Sequence, residues 1–524
     1  MSEKRTISKA AGVMGGATAL SRVAGLVRDM VVASYFGAGF ATDAFFMAFT
    51  IPNLLRRFFA EGSLTAAFVP TFSDVYHRQG DEAAQEMARI CWTLLILVMA
   101  AVTVAGVLAS PLIVRAIGFG YGVVPGKLAL TNTLNRLMFP YIFFVSLLAL
   151  ITGILNVRGH YFIPAVSPIL LNLSMIIAAV WLAPHCAVPI SALAAGVLAG
   201  GILQLLIQFP VLRRHGIRLR PDFHFRHPAV RRVATLMLPG LVGVAIYQIN
   251  VVVSRLLASF LPQGSVSFLY YGQRLFEFPQ GIFIVSLAQA VLPAMSRQAA
   301  LGDEEGLKES LRFALALIAL ITIPATVGLI LCAVPAYSLF FMRGAFSYHD
   351  VQETAWALAA YAPGLFFLGV SRVVVPAFYA MKDTKTPVWI SCGTLLVNAG
   401  FGLLLMGPLL HVGLALAITL STVFNAGVLL WALRRKIGRL GLRRVLSSLS
   451  RILPSAALMG VTVWAVLNLG LWQAAGERFE KAAILLLAVV AGGAVYAGGC
   501  ILLRVPEAAE AAALLKRKLK RSAS

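Results

Sequence analysis

Long runs of apolar residues, separated by short polar stretches, make up almost the whole chain. Each run is long enough for a helix that crosses a bilayer, which takes about 20 mainly apolar residues. The second and eighth runs exceed one straight span, and Pro52 and Pro279 are the expected kink points. Fourteen runs lie near 10–35, 42–73, 88–111, 128–156, 161–183, 188–212, 233–259, 265–296, 311–335, 351–379, 387–407, 411–433, 452–471 and 481–503. The pattern predicts an all-α polytopic membrane protein.

The chain also repeats itself after 223 residues. Three prolines recur at this spacing in similar local sequences: Pro70 with Pro293, Pro140 with Pro363, and Pro164 with Pro387. Each repeat contains six predicted helices, so the two six-helix lobes are expected to form a parallel repeat about an axis along the membrane normal. The predicted organisation is an N-terminal lobe at 1–212, a basic cytoplasmic linker at 213–232, a C-terminal lobe at 233–436, and two further helices with a basic tail at 437–524.

Composition supports a membrane location, since 59% of residues are hydrophobic and only 12% are charged. The formal net charge of +23 would suggest nucleic acid in a soluble protein, but its placement indicates otherwise. One side of the predicted membrane carries 31 Lys and Arg in its loops and tails, and the other side carries five. This asymmetry predicts that both termini are cytoplasmic and that the basic loops attract anionic membrane lipids, not nucleic acid.

Eight arginines nevertheless lie inside the apolar runs, against four carboxylates. A charged side chain at the bilayer centre costs about 2.5–3.5 kcal/mol even on a lenient scale, so these residues are expected to line a protected, wet cavity. The excess of arginine makes such a cavity suited to an anion. The arginines are Arg22, Arg28, Arg56, Arg57, Arg136, Arg255, Arg274 and Arg372, and the carboxylates are Asp29, Asp43, Glu61 and Glu277.

Helical periodicity places most of these side chains on shared faces. Guanidinium groups suit phosphate because their planar fork can bond two oxygens at once. We therefore expect substrate to be bound by Arg22, Arg28, Asn53, Arg56, Arg57, Arg255, Ser267 and Arg274, with the four carboxylates in support. Asp29 is expected to orient an arginine. Structural alternatives stay open: Arg372 can reach the interface, Arg136 can serve packing, and Arg57 can pair with Glu61.

Searches for catalytic and metal sites give no candidate. The segment from Gly120 to Lys127 resembles a phosphate-binding loop, but its glycine spacing is wrong and Leu128 replaces the required Ser or Thr. The eight histidines lack metal-ligand spacing, and the five cysteines fit apolar packing positions. We therefore expect no catalytic residue, no metal and no cofactor. Coupling to a monovalent ion or to the membrane potential stays open.

Five segments are distinctive: Ser21-Arg-Val-Ala-Gly-Leu-Val-Arg-Asp29, the Phe36–Phe46 segment, Ile51-Pro-Asn-Leu-Leu-Arg-Arg-Phe-Phe-Ala-Glu-Gly62, the Ser265–Pro279 segment and Lys382-Asp-Thr-Lys-Thr-Pro387. They closely resemble the MurJ (MviN) family, and the similarity spans the whole chain. The resemblance implies a fourteen-helix flippase of the multidrug/oligosaccharidyl-lipid/polysaccharide exporter superfamily. Such proteins move lipid II, the undecaprenyl-pyrophosphate-linked peptidoglycan precursor, across the bacterial inner membrane.

The resemblance further implies functional positions at Arg22, Arg28, Asp43, Arg56 and Arg274, with Arg255 in the same cavity. It implies that the last two helices frame a groove for the lipid tail. It leaves cell-wall synthesis or division proteins open as partners. One departure is Gln273, where relatives often carry Asp before the arginine of helix eight, and Thr50 stands where relatives can carry Lys.

Four other functions compete with lipid II transport. A cation-coupled drug exporter of the same superfamily should have an acidic cavity, and an exporter of another lipid-linked oligosaccharide would share the anion site. An enzyme acting on polyprenyl phosphates would need carboxylate or histidine catalysts. A scaffold without transport would leave the arginines within the membrane unexplained.

Overall fold

The computed structural model describes residues 3–58, 64–474 and 476–509 and contains no β-strand within them. Glu61 and the basic tail beyond residue 509, both part of the sequence predictions, lie outside the described residues. The chain divides into two compact units, Met1–Ser267 and Phe268–Ser524. This division falls after the first helix of the predicted second lobe. The lobe boundaries proposed from the sequence stay a prediction.

Unit 1 contains ten α-helices among its described residues. They are α1 (Glu3–Phe36), α2 (Phe40–Arg56), α3 (Leu64–Gln79), α4 (Asp81–Ile117), α5 (Lys127–Met138), α6 (Tyr141–Val157), α7 (Phe162–Ile177), α8 (Ser191–Leu206), α9 (Gln208–Arg214) and α10 (Pro228–Ser259). A short 3-10 helix at Phe119–Val123 links α4 to α5. Helix α1 packs on α7, α2 packs on α5, and α10 packs on α3 and α4.

Unit 2 contains the remaining nine described α-helices, the first of which begins three residues before the unit boundary. They are α11 (Ser265–Pro279), α12 (Val285–Ala300), α13 (Glu304–Leu331), α14 (Ala333–Phe340), α15 (Tyr348–Tyr361), α16 (Gly364–Ala380), α17 (Lys385–Ile437), α18 (Arg443–Leu467) and α19 (Arg478–Leu502). A π-helical turn at Gln280–Ile284 joins α11 to α12 directly after Pro279. The missing N–H of proline favours such an irregular turn.

The all-helical membrane architecture predicted from the sequence is confirmed, but the count of fourteen spans is not. Within the described residues, ten helical stretches are long and apolar enough to cross a membrane. One of them, α17, has 53 residues and is interrupted at Leu410, whose φ is 50°. It therefore contains both of the runs predicted at 387–407 and 411–433. Helices α1, α2 and α10, which carry the site candidates Arg22, Arg28, Arg56 and Arg255, are not among the ten.

The helix boundaries repeat with the spacing found in the sequence. Helices α13, α16 and α17 each begin 223 residues after α4, α6 and α7, respectively. Pro140 and Pro363 occupy the same place, immediately before α6 and α16. Both of these helices have 17 residues. Each unit is therefore built from a similar series of helices.

The last two helices pack on α13 through one face of α18. Ile452 of α18 is buried with Ala319 of α13 and Cys500 of α19. Lys481, the first residue of the predicted run 481–503, is buried in the first turn of α19. Its Nζ donates to Ser338 Oγ over 2.9 Å. This cation was overlooked because it stands at the edge of its run.

Gly120 packs closely against Ser259, the last residue of α10, and this contact can be tested. Gly120 of the 3-10 helix donates its N–H to Ser259 Oγ over 3.0 Å. A Cβ at Gly120 would lie 2.5 Å from the carbonyl oxygen of Ser259, whereas a Cβ at Gly122 would meet nothing within 4 Å. We predict that Gly120→Ala destabilises the protein by about 1–3 kcal/mol through overpacking. Gly122→Ala is the matched control. Equal thermal unfolding midpoints for the two variants in detergent would contradict this packing.

Candidate functional site

The first group of predicted site residues lies on α1 and is fixed by α7. Arg28 Nε and Nη2 donate to Asp29 Oδ1 over 3.0 and 2.7 Å. Arg28 Nη1 donates to Asn172 Oδ1 over 3.0 Å. Asn172 in turn donates to the Ser21 carbonyl over 3.3 Å, which ties α7 back to α1. Asp29 therefore holds Arg28 in a defined plane, in agreement with the orienting role expected of it.

Burial separates the two arginines of α1. Arg28 is 7% exposed and Asp29 is 1% exposed, so this ion pair is shielded from solvent. Arg22, one and a half turns earlier, is exposed. A shielded pair interacts more strongly than an exposed one because little water screens it. Arg28 is thus the better anchored of the two candidates.

The second group lies at the C-terminal end of α2. Arg56 Nε donates to Asn53 Oδ1 over 3.1 Å, which confirms that these two residues share a face. Arg56 and Arg57 are both half-buried. Pro52 lies one residue before Asn53, inside α2. The proposed pairing of Arg57 with Glu61 falls on residues outside those described.

The third group is centred on the carboxylate of Asp43, near the start of α2. Its Oδ2 accepts from Lys127 Nζ over 2.9 Å and from the Gly264 N–H over 2.8 Å. Its Oδ1 accepts from the Ser267 N–H over 2.9 Å and from Ser267 Oγ over 2.7 Å. Asp43 and Lys127 are each 1% exposed. One carboxylate thus joins α2, the start of α5 and the segment that connects α10 to α11.

Aromatic rings complete the surroundings of Lys127. Its Nζ lies 4.3 Å from the centre of the Tyr121 ring and 5.9 Å from that of Phe40. Burial, helped by the charge of Asp43, raises the pKa of Tyr121 well above its ordinary value, whereas Arg255 opposes the increase. Arg255 is therefore close enough to act on this cluster electrostatically. Stacking of a cation on aromatic faces partly replaces its lost hydration.

Ser267 has a different role from the one expected of it. It was predicted to contact substrate, but it is fully buried and both of its donors bind Asp43. Its hydroxyl therefore supports the carboxylate in this structure. Lys127 and Asn172 were not identified from the sequence. The signal for Lys127 was present: a lone cation at the start of an apolar run, on the side that carries few cations.

In unit 2, Arg274 is held by its own helix. Its Nη1 donates to Glu277 Oε2 over 3.0 Å, and its Nη2 donates to the hydroxyl of Tyr270. The guanidinium carbon lies 4.4 Å from the centre of the Tyr270 ring. Arg274 and Glu277 therefore share a face of α11, as the helical periodicity of the run at 265–296 predicts. Arg136 and Arg372, for which structural roles stayed open, are exposed on α5 and α16.

Comparisons with known proteins point to one family. The family model for the lipid II flippase MurJ matches residues 32–484. The chain is similar to the probable lipid II flippase MurJ of Vibrio cholerae, with 35% identity over 511 residues that cover 96% of this chain and 97% of the relative. It is also similar to the lipid II flippase MurJ of Burkholderia cenocepacia, with 35% identity over 494 residues that cover 93% of this chain and 95% of the relative.

Solved structures agree with the sequence matches. A lipid II flippase MurJ in an inward closed conformation matches with a TM-score of 0.75 and 27% identity, covering 94% of this chain and 98% of that one. An inward-facing multidrug resistance transporter of the MATE family matches with a TM-score of 0.68 and 15% identity, covering 82% of this chain and 98% of that one. The second match shows the fold alone.

The buried ion pair of Asp43 and Lys127 yields a prediction about stability. Lys127→Met should destabilise the protein by about 3–5 kcal/mol, because it leaves a buried carboxylate without its cation. Asp43→Asn should likewise destabilise the protein, because it leaves the buried Lys127 without its counterion. The double variant should be more stable than the sum of the two losses predicts, since the partners are in contact. Thermal unfolding of all four proteins in detergent measures the coupling. Strict additivity would contradict the pairing.

Proposed function

The chain belongs to the MurJ family of lipid II flippases, and we propose that it moves lipid II from the cytoplasmic to the periplasmic leaflet by alternating access. It is a membrane transporter and not an enzyme, and lipid II is its substrate. The family match across residues 32–484 is the observation that carries this conclusion.

We propose that arginines bind the pyrophosphate of lipid II. The candidates are Arg22, Arg28, Arg56, Arg57 and Arg255 in unit 1 and Arg274 in unit 2. Support comes from the geometry of Arg28 and Arg274, whose guanidinium groups are oriented by Asp29 and Glu277. An arginine held in one plane loses less conformational entropy when it binds an anion. Asn53 and Arg56 form the polar contact that completes this set.

The supporting carboxylates have a separate role in the proposal. Asp43 is fully engaged by Lys127, Gly264 and Ser267, so it serves to hold helices together instead of touching an anionic substrate. A carboxylate beside a pyrophosphate would repel it.

We propose that α18 and α19 frame the groove for the polyprenyl tail. Both helices leave large apolar side chains exposed, including Leu453, Leu458, Val461, Leu486 and Val490. Their other faces pack on α13 and on each other. Such an arrangement offers an apolar surface to a lipid chain at little desolvation cost.

The uneven distribution of Lys and Arg supports a location in the bacterial cytoplasmic membrane with both termini in the cytoplasm. Anionic membrane lipids and cell-wall synthesis or division proteins are proposed as further partners. No cofactor is proposed. A rival reading, a drug exporter of the same superfamily, is disfavoured because cationic drugs would be repelled by the arginines.

Removing single arginines tests the binding proposal. We predict that the Arg28→Ala, Arg56→Ala and Arg274→Ala variants each fail to sustain growth of a strain depleted of its own flippase. A lost charge-assisted hydrogen bond costs about 1.5–3 kcal/mol, which is more than tenfold in binding. Lys replacements should rescue poorly because they lack the planar fork. Arg372→Ala, exposed on α16, is the matched control. Full growth with all three Ala variants at normal membrane levels would refute the proposal.

Membrane potential is the proposed driving force. Moving two negative charges outward gains about 4.6 kcal/mol per 100 mV, at about 2.3 per charge. The same field favours inward return of an empty, positive site. We predict that an ionophore that collapses the potential at constant ATP retains lipid II in the inner leaflet of spheroplasts, as measured by leaflet-specific labelling. Undiminished export at zero potential, without an ion gradient, would overturn this mechanism but not the substrate assignment.

A further inference from the structure

Three of the few cations on the side opposite the termini come together in unit 2. That side carries five Lys and Arg in all, of which Arg115 and Lys127 belong to unit 1. The other three are Arg343, Arg478 and Lys481. Arg343 follows α14, whereas the other two lie in the first turn of α19, far away in sequence. Cations are selected against on this side, so their convergence calls for a physical reason.

The buried side chain of Lys481 fastens α19 to α14. It is 2% exposed. Its Nζ donates to Ser338 Oγ over 2.9 Å and to the carbonyl oxygens of Trp472 and Ala474 over 3.4 and 2.5 Å. These three hydrogen-bond partners are neutral, and the exposed Glu477 is the carboxylate that acts on this cation electrostatically. Lys481 therefore adds positive potential to this end of unit 2.

Arg343 follows α14 and Arg478 begins α19, and these two helices pack on each other. Burial, together with the positive charge of Arg478, lowers the pKa of Arg343, which is outside the spanning helices. The Nε of Arg343 is buried and has no hydrogen-bond acceptor among the described residues. Neither arginine forms an ion pair with a described carboxylate, although Glu477 and Glu480 adjoin Arg478 and are exposed. Two guanidinium groups held together in this way suit a shared anion.

The surroundings of the two arginines favour a lipid over a free anion. Phe479, beside Arg478, is 94% exposed. Trp464, at the end of α18, is also exposed. It borders a cavity of about 220 Å³ that is also lined by Leu331, Pro335, Asn468 and Trp472. Aromatic side chains beside cations at the end of spanning helices are typical of the layer of lipid headgroups.

We propose that Arg343 and Arg478, with Lys481 behind them, bind the phosphate of an anionic phospholipid in the outer leaflet. The aromatic side chains would contact the glycerol and upper acyl region of the same lipid. This inference uses the proposed orientation of the chain but does not depend on its transport activity. It places a lipid contact at the outer end of α18 and α19, apart from the arginines proposed to bind lipid II.

Binding of a short-chain phosphatidylglycerol to the purified full-length protein tests the proposal. Ligand binding should raise the unfolding temperature and change tryptophan fluorescence, since Trp464 and Trp472 are near the site. We expect the double variant Arg343→Gln/Arg478→Gln to bind at least about tenfold more weakly, because two charge-assisted contacts are lost. Arg478→Gln alone, at an exposed helix end, should weaken binding in the same direction. Arg115→Gln removes an exposed cation of the same side from unit 1 and should bind normally.

Four results would overturn the assignment. They are equal affinity in the double variant and the unaltered protein, equal weakening by Arg115→Gln, equal binding of short-chain phosphatidylcholine, and saturation by inorganic phosphate alone at the concentration that phosphatidylglycerol requires. Displacement of phosphatidylglycerol by a lower concentration of farnesyl pyrophosphate would assign the site to polyprenyl pyrophosphates and would also contradict the proposal. Failure of lipid II transport would leave every one of these measurements unchanged.

Discussion

Charges placed among apolar helices must be compensated inside the protein, and the carboxylate of Asp43 is where this requirement is met most completely. It accepts hydrogen bonds from Lys127, from the Gly264 backbone and twice from Ser267. Breaking such a buried pair by removing one partner costs about 3–5 kcal/mol. The register of α2 against α5, and the course of the chain between α10 and α11, depend on this one side chain.

The other charged groups follow a more local rule. Arg28 is compensated by its neighbour Asp29, and Arg274 by Glu277 one turn further along the same helix. A helix that carries its own counterion can place a guanidinium in the membrane without a carboxylate from a distant part of the chain. It can also present that group in a fixed orientation, which is what binding of a pyrophosphate requires. In the proposed mechanism the local pairs orient arginines toward the substrate, whereas the long-range pair of Asp43 and Lys127 joins helices.

Features that depend on local sequence patterns were predictable from the sequence. The helices, the repeat at 223 residues and the polar faces of α1, α2 and α11 were all available from periodicity. The partners of Asp43 were not, because Lys127 and Ser267 are far from it along the chain and only folding brings them together. Asn172 was missed for the same reason. The count of fourteen spans stays a prediction, and the non-helical residue Leu410 lies between the two runs predicted within α17.

The most direct test of lipid II transport by this chain is the leaflet distribution of lipid II after the protein is depleted from its own cell. Total lipid II and its inner-leaflet fraction are measured together, so that a block in transport is separated from a block in synthesis. The account predicts that lipid II is still made and accumulates in the inner leaflet, and that re-expression of the chain reverses the accumulation. Normal export after depletion, or loss of lipid II synthesis itself, would contradict the account.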